Sequence, residues 1–244
     1  MANWSDPQTR ATGFGETTGT RAAAFDAGLR SYMLSVYNYM ASGVLLTGIV
    51  ALLFASSGLA QDILMGPGIL KYVIMFSPLA FVMVMSFGIN RISTPTLQLL
   101  FWAFATVMGL SMSSIFLVYT GTSIAQTFFA TAAAFAGLSL FGYTTKKDLS
   151  AFGTFLIMGV VGLLVAMVIN IFVQSTALQL AISFIGVLIF AGLTAYDTQR
   201  IKSMYAYVAG TDMMGKTVIM GALSLYLDFI NMFTFLLQFM GNRE

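Results

Sequence analysis

The 244-residue chain has no cysteine and no histidine. That excludes disulfides, thiol catalysis and any zinc or haem site built on thiolate or imidazole. Only oxygen ligands remain, so a metal partner must be a hard cation such as calcium or magnesium. Charge is scarce as well: 8% of residues are charged, against roughly 25% in soluble domains, while 58% are hydrophobic and the mean hydropathy is +0.88. There are too few charges to clothe a water-soluble core, which leaves an all-α integral membrane protein. Glutamate occurs only as Glu16 and Glu244, outside every apolar run. The P-loop, GxGxxG, HExxH and GxSxG motifs are all missing.

What the chain does have is seven apolar runs long enough to cross a bilayer, which takes about 20 residues. They are placed at 33–56, 70–89, 98–119, 124–143, 151–173, 177–198 and 218–240. The fifth and sixth are divided only by the short polar stretch at 174–177. Residues 1–30 are polar, lack the pattern of a secretory signal, and are expected to form a flexible cytoplasmic tail ahead of a membrane domain over 31–244. Nine of the eleven Lys and Arg residues fall on one side of this arrangement: Arg10, Arg21, Arg30, Arg91, Lys146, Lys147, Arg200, Lys202 and Lys216. Lys71 and Arg243 fall on the other. The positive-inside rule then puts the N-terminus in the cytoplasm and the C-terminus outside. The net charge of +2 gives no reason to expect a nucleic-acid partner.

The seventh run carries polar or small residues at Thr217, Gly221, Ser224, Asp228, Asn231, Thr234 and Gln238. Steps of three and four make them one continuous helix face. A charged side chain at the bilayer centre costs about 2.5–3.5 kcal/mol on insertion scales, so this stripe must face protein or water. Packing glue is an adequate reading of Gly221, Ser224 and Thr234; it is a poor one for Asp228, because Asn or Ser would serve at lower cost. On the sixth run, Ser183, Gly186, Thr194 and Asp197 share a face. Asp197 has Arg200 three residues on, so a plain surface ion pair and an inward-facing acid are both open readings.

The segments FSPLAFVMVMSFGINR (76–91), GLSMSSIFLVYTG (109–121), FGYTTKKDLS (141–150), AGLTAYDTQRIK (191–202) and GALSLYLDFINMF (221–233) resemble the Bax inhibitor-1 family, in its bacterial branch. The resemblance covers about residues 30–241. It implies seven transmembrane helices with the last one central, wrapped by the other six, in a bacterial inner membrane. It further implies a pH-sensitive calcium leak gated by two aspartates that share a proton, here Asp197 and Asp228. The supporting polar residues are Thr194, Ser224 and Asn231, and Arg91 matches a cytoplasmic latch. No resident cofactor is implied; calcium would meet Asp197 and Asp228 in passing. The implied partners are the bilayer, calcium and protons. A further acid that some relatives carry in the second helix is absent here.

Two other readings stand beside the leak. Two membrane acids evoke an intramembrane aspartyl protease, but that chemistry needs GxGD where this chain has LYLD, ending at Asp228, so no enzyme activity is expected. A non-conducting regulator that binds a membrane protease or other membrane complex is the alternative function. One geometric difficulty is plain in advance. At 1.5 Å per residue, Asp228 lies about 15 Å and Asp197 about 5 Å from the cytoplasmic ends of their runs. A direct meeting requires the sixth helix to extend or the seventh to shift.

Overall fold

The computed structural model of the protein describes residues 14–242. Seven long helices follow one another: α1 (Phe14–Ser56), α2 (Leu70–Gly88), α3 (Thr94–Met112), α4 (Gly121–Thr144), α5 (Ser150–Val173), α6 (Thr176–Val208) and α7 (Met213–Met240). A single helical turn, Ile115–Val118, prolongs α3, and a π-helical turn, Gln61–Met65, lies between α1 and α2. All seven are long and apolar enough to cross a membrane.

Local chemistry sets several boundaries. Ser93, Thr120 and Ser175 each accept a hydrogen bond from the backbone N–H three residues on, capping α3, α4 and α6. The cut at 174–177 resolves to two residues. Gln174 takes a left-handed conformation (φ 51°) and its N–H donates to the Asn170 carbonyl, ending α5, before Ser175 opens α6. Between α6 and α7 the chain turns through Gly210 at φ +76°, a conformation that favours glycine.

Two expected boundaries need correction. Residues 1–13 of the expected tail lie outside the described residues, but from Phe14 onward the chain is already helix, and α1 runs for 43 residues. The run Arg21-Ala-Ala-Ala-Phe-Asp-Ala has high helix propensity and holds no proline to interrupt it. Likewise α6 continues ten residues past its expected end at 198. The two extensions support each other: the Tyr205 ring packs 5.0 Å from Phe25 and 5.4 Å from Tyr32. Apolar runs reflect membrane thickness, and these helix ends extend beyond the apolar runs.

The core belongs to α7. In its most apolar 18-residue window 72% of residues are buried, against 11–33% in the other six spans. Its direct walls are chiefly α6, α1, α4 and α3, while α2 joins mainly through α3 and α5 through α6. The wrapping is therefore two-layered. Close approach depends on small residues: a Cβ on Gly109 would lie 2.7 Å from the Thr47 carbonyl, and one on Gly43 would lie 2.8 Å from the Phe101 ring. Deep in this core Tyr226 and Thr47 share a 2.6 Å hydrogen bond, and the Thr47 hydroxyl lies 2.8 Å from the Ala105 carbonyl, linking α7, α1 and α3. Tyr226→Phe is expected to lower stability by about 1 kcal/mol, read as a fall in melting temperature in detergent.

Candidate functional site

The register of α6 against α7 is set by two contacts. Gly221 lies against Ile201, and Gly186 lies against the Phe235 ring. Stepping one turn inward from the first contact places Asp197 level with Ser224 and Leu225, and Asp228 one turn deeper. The helix ends agree. Asp197 is eleven residues from Val208 and Asp228 fifteen from Met213, a difference of four residues, or about 6 Å of rise. The extension of α6 removes the difficulty foreseen from the apolar runs. On this register Asp197 and Asp228 stand about one turn apart in depth on facing helices.

Their surroundings differ. Asp228 is 4% exposed, and its Oδ2 has no hydrogen-bond partner. Among the described residues, only the Tyr32 hydroxyl shares that condition as a buried side-chain atom. Asp197 is partly exposed and lines a cavity of about 190 Å³ with Arg200, Met204, Thr217, Ser224 and Ile89. This cavity opens at the end of the molecule where most Lys and Arg collect. The ends are tied together there: Lys216 Nζ donates to the Ile89 carbonyl at the close of α2, and Lys202 Nζ to the Tyr143 carbonyl at the close of α4.

The polar stripe of α7 continues past Asp228. Asn231 Nδ2 and Thr234 Oγ1 donate to the carbonyls four residues back on their own helix. At the far end Thr234 and Gln238 line a second cavity, of about 310 Å³, with Ser111 and Ser114. The stripe thus connects two cavities, with Asp228 and Asn231 between them. Thr194 is fully buried on α6, its hydroxyl donating to the Phe190 carbonyl.

Arg91 is exposed, two residues past Ile89, and among the described residues its guanidinium forms no ion pair with either aspartate. The cation that lines the same cavity as Asp197 is Arg200. Sequence reasoning passed over Gln179. Its Oε1 accepts from Asn170 and its Nε2 donates to Gln238 Oε1, joining α5, α6 and α7 beside the far cavity. The only signal was its spacing of four from Ser183 on the shared face. Among the described residues no three acids cluster as a metal site.

Comparison with known proteins agrees with this architecture. The family model described as "Inhibitor of apoptosis-promoting Bax1" matches residues 29–244. An uncharacterized protein of Caulobacter vibrioides is 48% identical over 230 residues, covering 90% of this chain and 92% of the relative. An uncharacterized Rickettsia prowazekii protein is 47% identical over 229 residues, covering 93% and 96%. The inner membrane protein YbhL of Escherichia coli is 44% identical over 220 residues, covering 89% and 94%. With a central helix carrying a buried aspartate beside a second one on its neighbour, and with relatives matched almost end to end, the chain belongs to the Bax inhibitor-1 family.

Proposed function

We propose that the protein is a pH-sensitive cation leak, with calcium as the ion, gated by the pair Asp197 and Asp228. The observation that carries this reading is the buried Asp228 carboxylate, without a hydrogen-bond partner at Oδ2, lying between two cavities on one polar stripe. An isolated buried charge is too costly to keep, and two neighbouring carboxylates titrate as a unit. With one proton held between them, α6 and α7 stay together and the path is shut. When that proton leaves, two like charges repel, and the site becomes anionic and open to a hard cation. Two carboxylates are too few to store calcium, which takes six to eight oxygens. They suit a partly hydrated ion in transit. In this scheme Arg91, exposed two residues beyond the lining residue Ile89, swings over the cavity mouth as a latch. Neither acid acts on a substrate in this scheme, so the protein is no enzyme.

The membrane is the bacterial inner membrane, by likeness to the E. coli relative. The basic end faces the cytoplasm, by the positive-inside rule, with the N-terminus inside and the C-terminus in the periplasm. The test is calcium flux into liposomes carrying the purified chain. Flux is expected to exceed that of empty liposomes and to rise from pH 5 to pH 8. Correctly folded protein that passes no calcium at any pH sinks the leak and favours a regulator bound to another membrane complex.

A further inference from the structure

A seam runs between α1 and α4, two helices that both pack on α7 yet barely touch each other. In its basic half lies a cavity of about 560 Å³, walled by Met33, Leu34, Phe135, Leu140 and Tyr143, with Arg30 at one end. In its other half lies a cavity of about 290 Å³, between Gly48 on α1 and Phe129 on α4 and floored by Phe229. From Arg30 to Ala51 the α1 edge of the seam spans about 32 Å at 1.5 Å per residue, close to the hydrocarbon thickness of a bilayer. The two cavities therefore sit in opposite leaflets.

Only the basic half carries charge at its rim. Arg30 is exposed, and no carboxylate among the described residues pairs with it. Lys202 Nζ sits 4.7 Å over the Tyr143 ring and donates to the Tyr143 carbonyl, leaving two N–H groups for another acceptor. The rest of the cavity wall is apolar except for the phenols of Tyr37 and Tyr143 and for Ser139, whose hydroxyl lies 3.4 Å from that of Thr198. The groove runs along two membrane-spanning helices, and its largely apolar wall suits an acyl chain. At the headgroup level, the Arg30 guanidinium lines the cavity and the Lys202 ammonium meets the lining residue Tyr143, and cations of this kind recognise a phosphodiester.

We propose that the basic half of the α1–α4 seam is a binding site for an anionic glycerophospholipid, with its phosphate on Arg30 and Lys202 and an acyl chain along Phe135 and Leu140. The site is independent of the aspartate pair and does not rest on the leak. It carries no charge in its other half, so headgroup selection is confined to one leaflet.

Native mass spectrometry of the full chain tests this, with phosphatidylglycerol and phosphatidylcholine of identical acyl chains offered in equal amounts. Wild type is expected to retain phosphatidylglycerol about tenfold over phosphatidylcholine. Arg30→Gln is expected to remove most of that preference, whereas Lys71→Gln at the opposite end leaves it intact. Ala136→Trp, which fills the groove from an exposed α4 position, is expected to lower retention of both lipids. Equal retention of the two lipids by wild type, or an unchanged preference in folded Arg30→Gln, overturns the proposal. So does a polypeptide, rather than lipid, cross-linked to a photoreactive residue at Leu140 in native membranes.

Discussion

Asp228→Asn is expected to leave the protein folded and to flatten the rise of calcium flux between pH 5 and pH 8. The substitution keeps the shape of the side chain and removes its only titrating proton. Asp197 is then left alone beside Arg200 and the cavity, with no like charge to repel. The sign follows from the chemistry: a carboxylic acid loses its proton as pH rises, so in wild type the repelled, open arrangement gains population at the alkaline end. If opening releases one proton, the open-to-closed ratio climbs at most tenfold per pH unit. A steeper wild-type profile would mean that more groups take part. Stability supplies a second reading. Replacing a buried acid that lacks a partner at Oδ2 with a neutral amide removes a cost that insertion scales put at about 2.5–3.5 kcal/mol for a charged Asp. The melting temperature of Asp228→Asn at pH 8 should therefore equal or exceed that of wild type. Folded Asp228→Asn with an unaltered pH profile would place the gate elsewhere. Asp197→Asn should act in the same direction with a smaller gain in stability, because Asp197 already meets the cavity.

The spans and the buried stripe were legible because bilayer thickness and helical periodicity are written directly in residue type. All seven helices fall where the apolar runs lie, and Asp228 is as deep in protein as its stripe required. The helix ends were not legible. Residues 23–32 and 199–208 are polar or mixed, and these helix ends meet through contacts such as Tyr205 on Phe25 and Tyr32. No window along one segment can see a contact with another. The same blindness left the relative depth of Asp197 and Asp228 open, because it depends on how far α6 runs past its apolar part. It also hid the role of Tyr226, whose ring reads as apolar filler but whose hydroxyl ties α7 to Thr47. Cavities were beyond reach for a related reason: Ser111 and Ser114 look like scattered hydroxyls until Thr234 and Gln238 are set opposite them.

The second large effect is expected at Gly142, on the seam between α4 and α6. A Cβ there would run into the Ala195 carbonyl oxygen and lie 3.0 Å from the Ala195 Cα, both backbone atoms that cannot rotate away. One turn back along α4, the Ser139 and Thr198 hydroxyls meet at 3.4 Å across the same seam, while the Thr198 hydrogen goes to the Thr194 carbonyl. Asp197 lies between Ala195 and Thr198, so this contact fixes the height and rotation of the helix that carries it. Gly142→Val must push α4 and α6 apart. Overpacking of this kind costs about 1–3 kcal/mol, and the lost Ser139–Thr198 contact adds to it. The expected result is a fall of several degrees in melting temperature, together with calcium flux that is raised at pH 5 and responds less to pH, because a displaced α6 no longer holds Asp197 against Asp228. Gly137→Val, five residues away on α4 where a Cβ meets nothing within 4 Å, controls for helix propensity alone and should change neither reading by a comparable amount. If Gly142→Val lowers stability while the pH profile keeps its shape and position, the α4–α6 seam is a packing element only, and the geometry of the acid pair is set by α7.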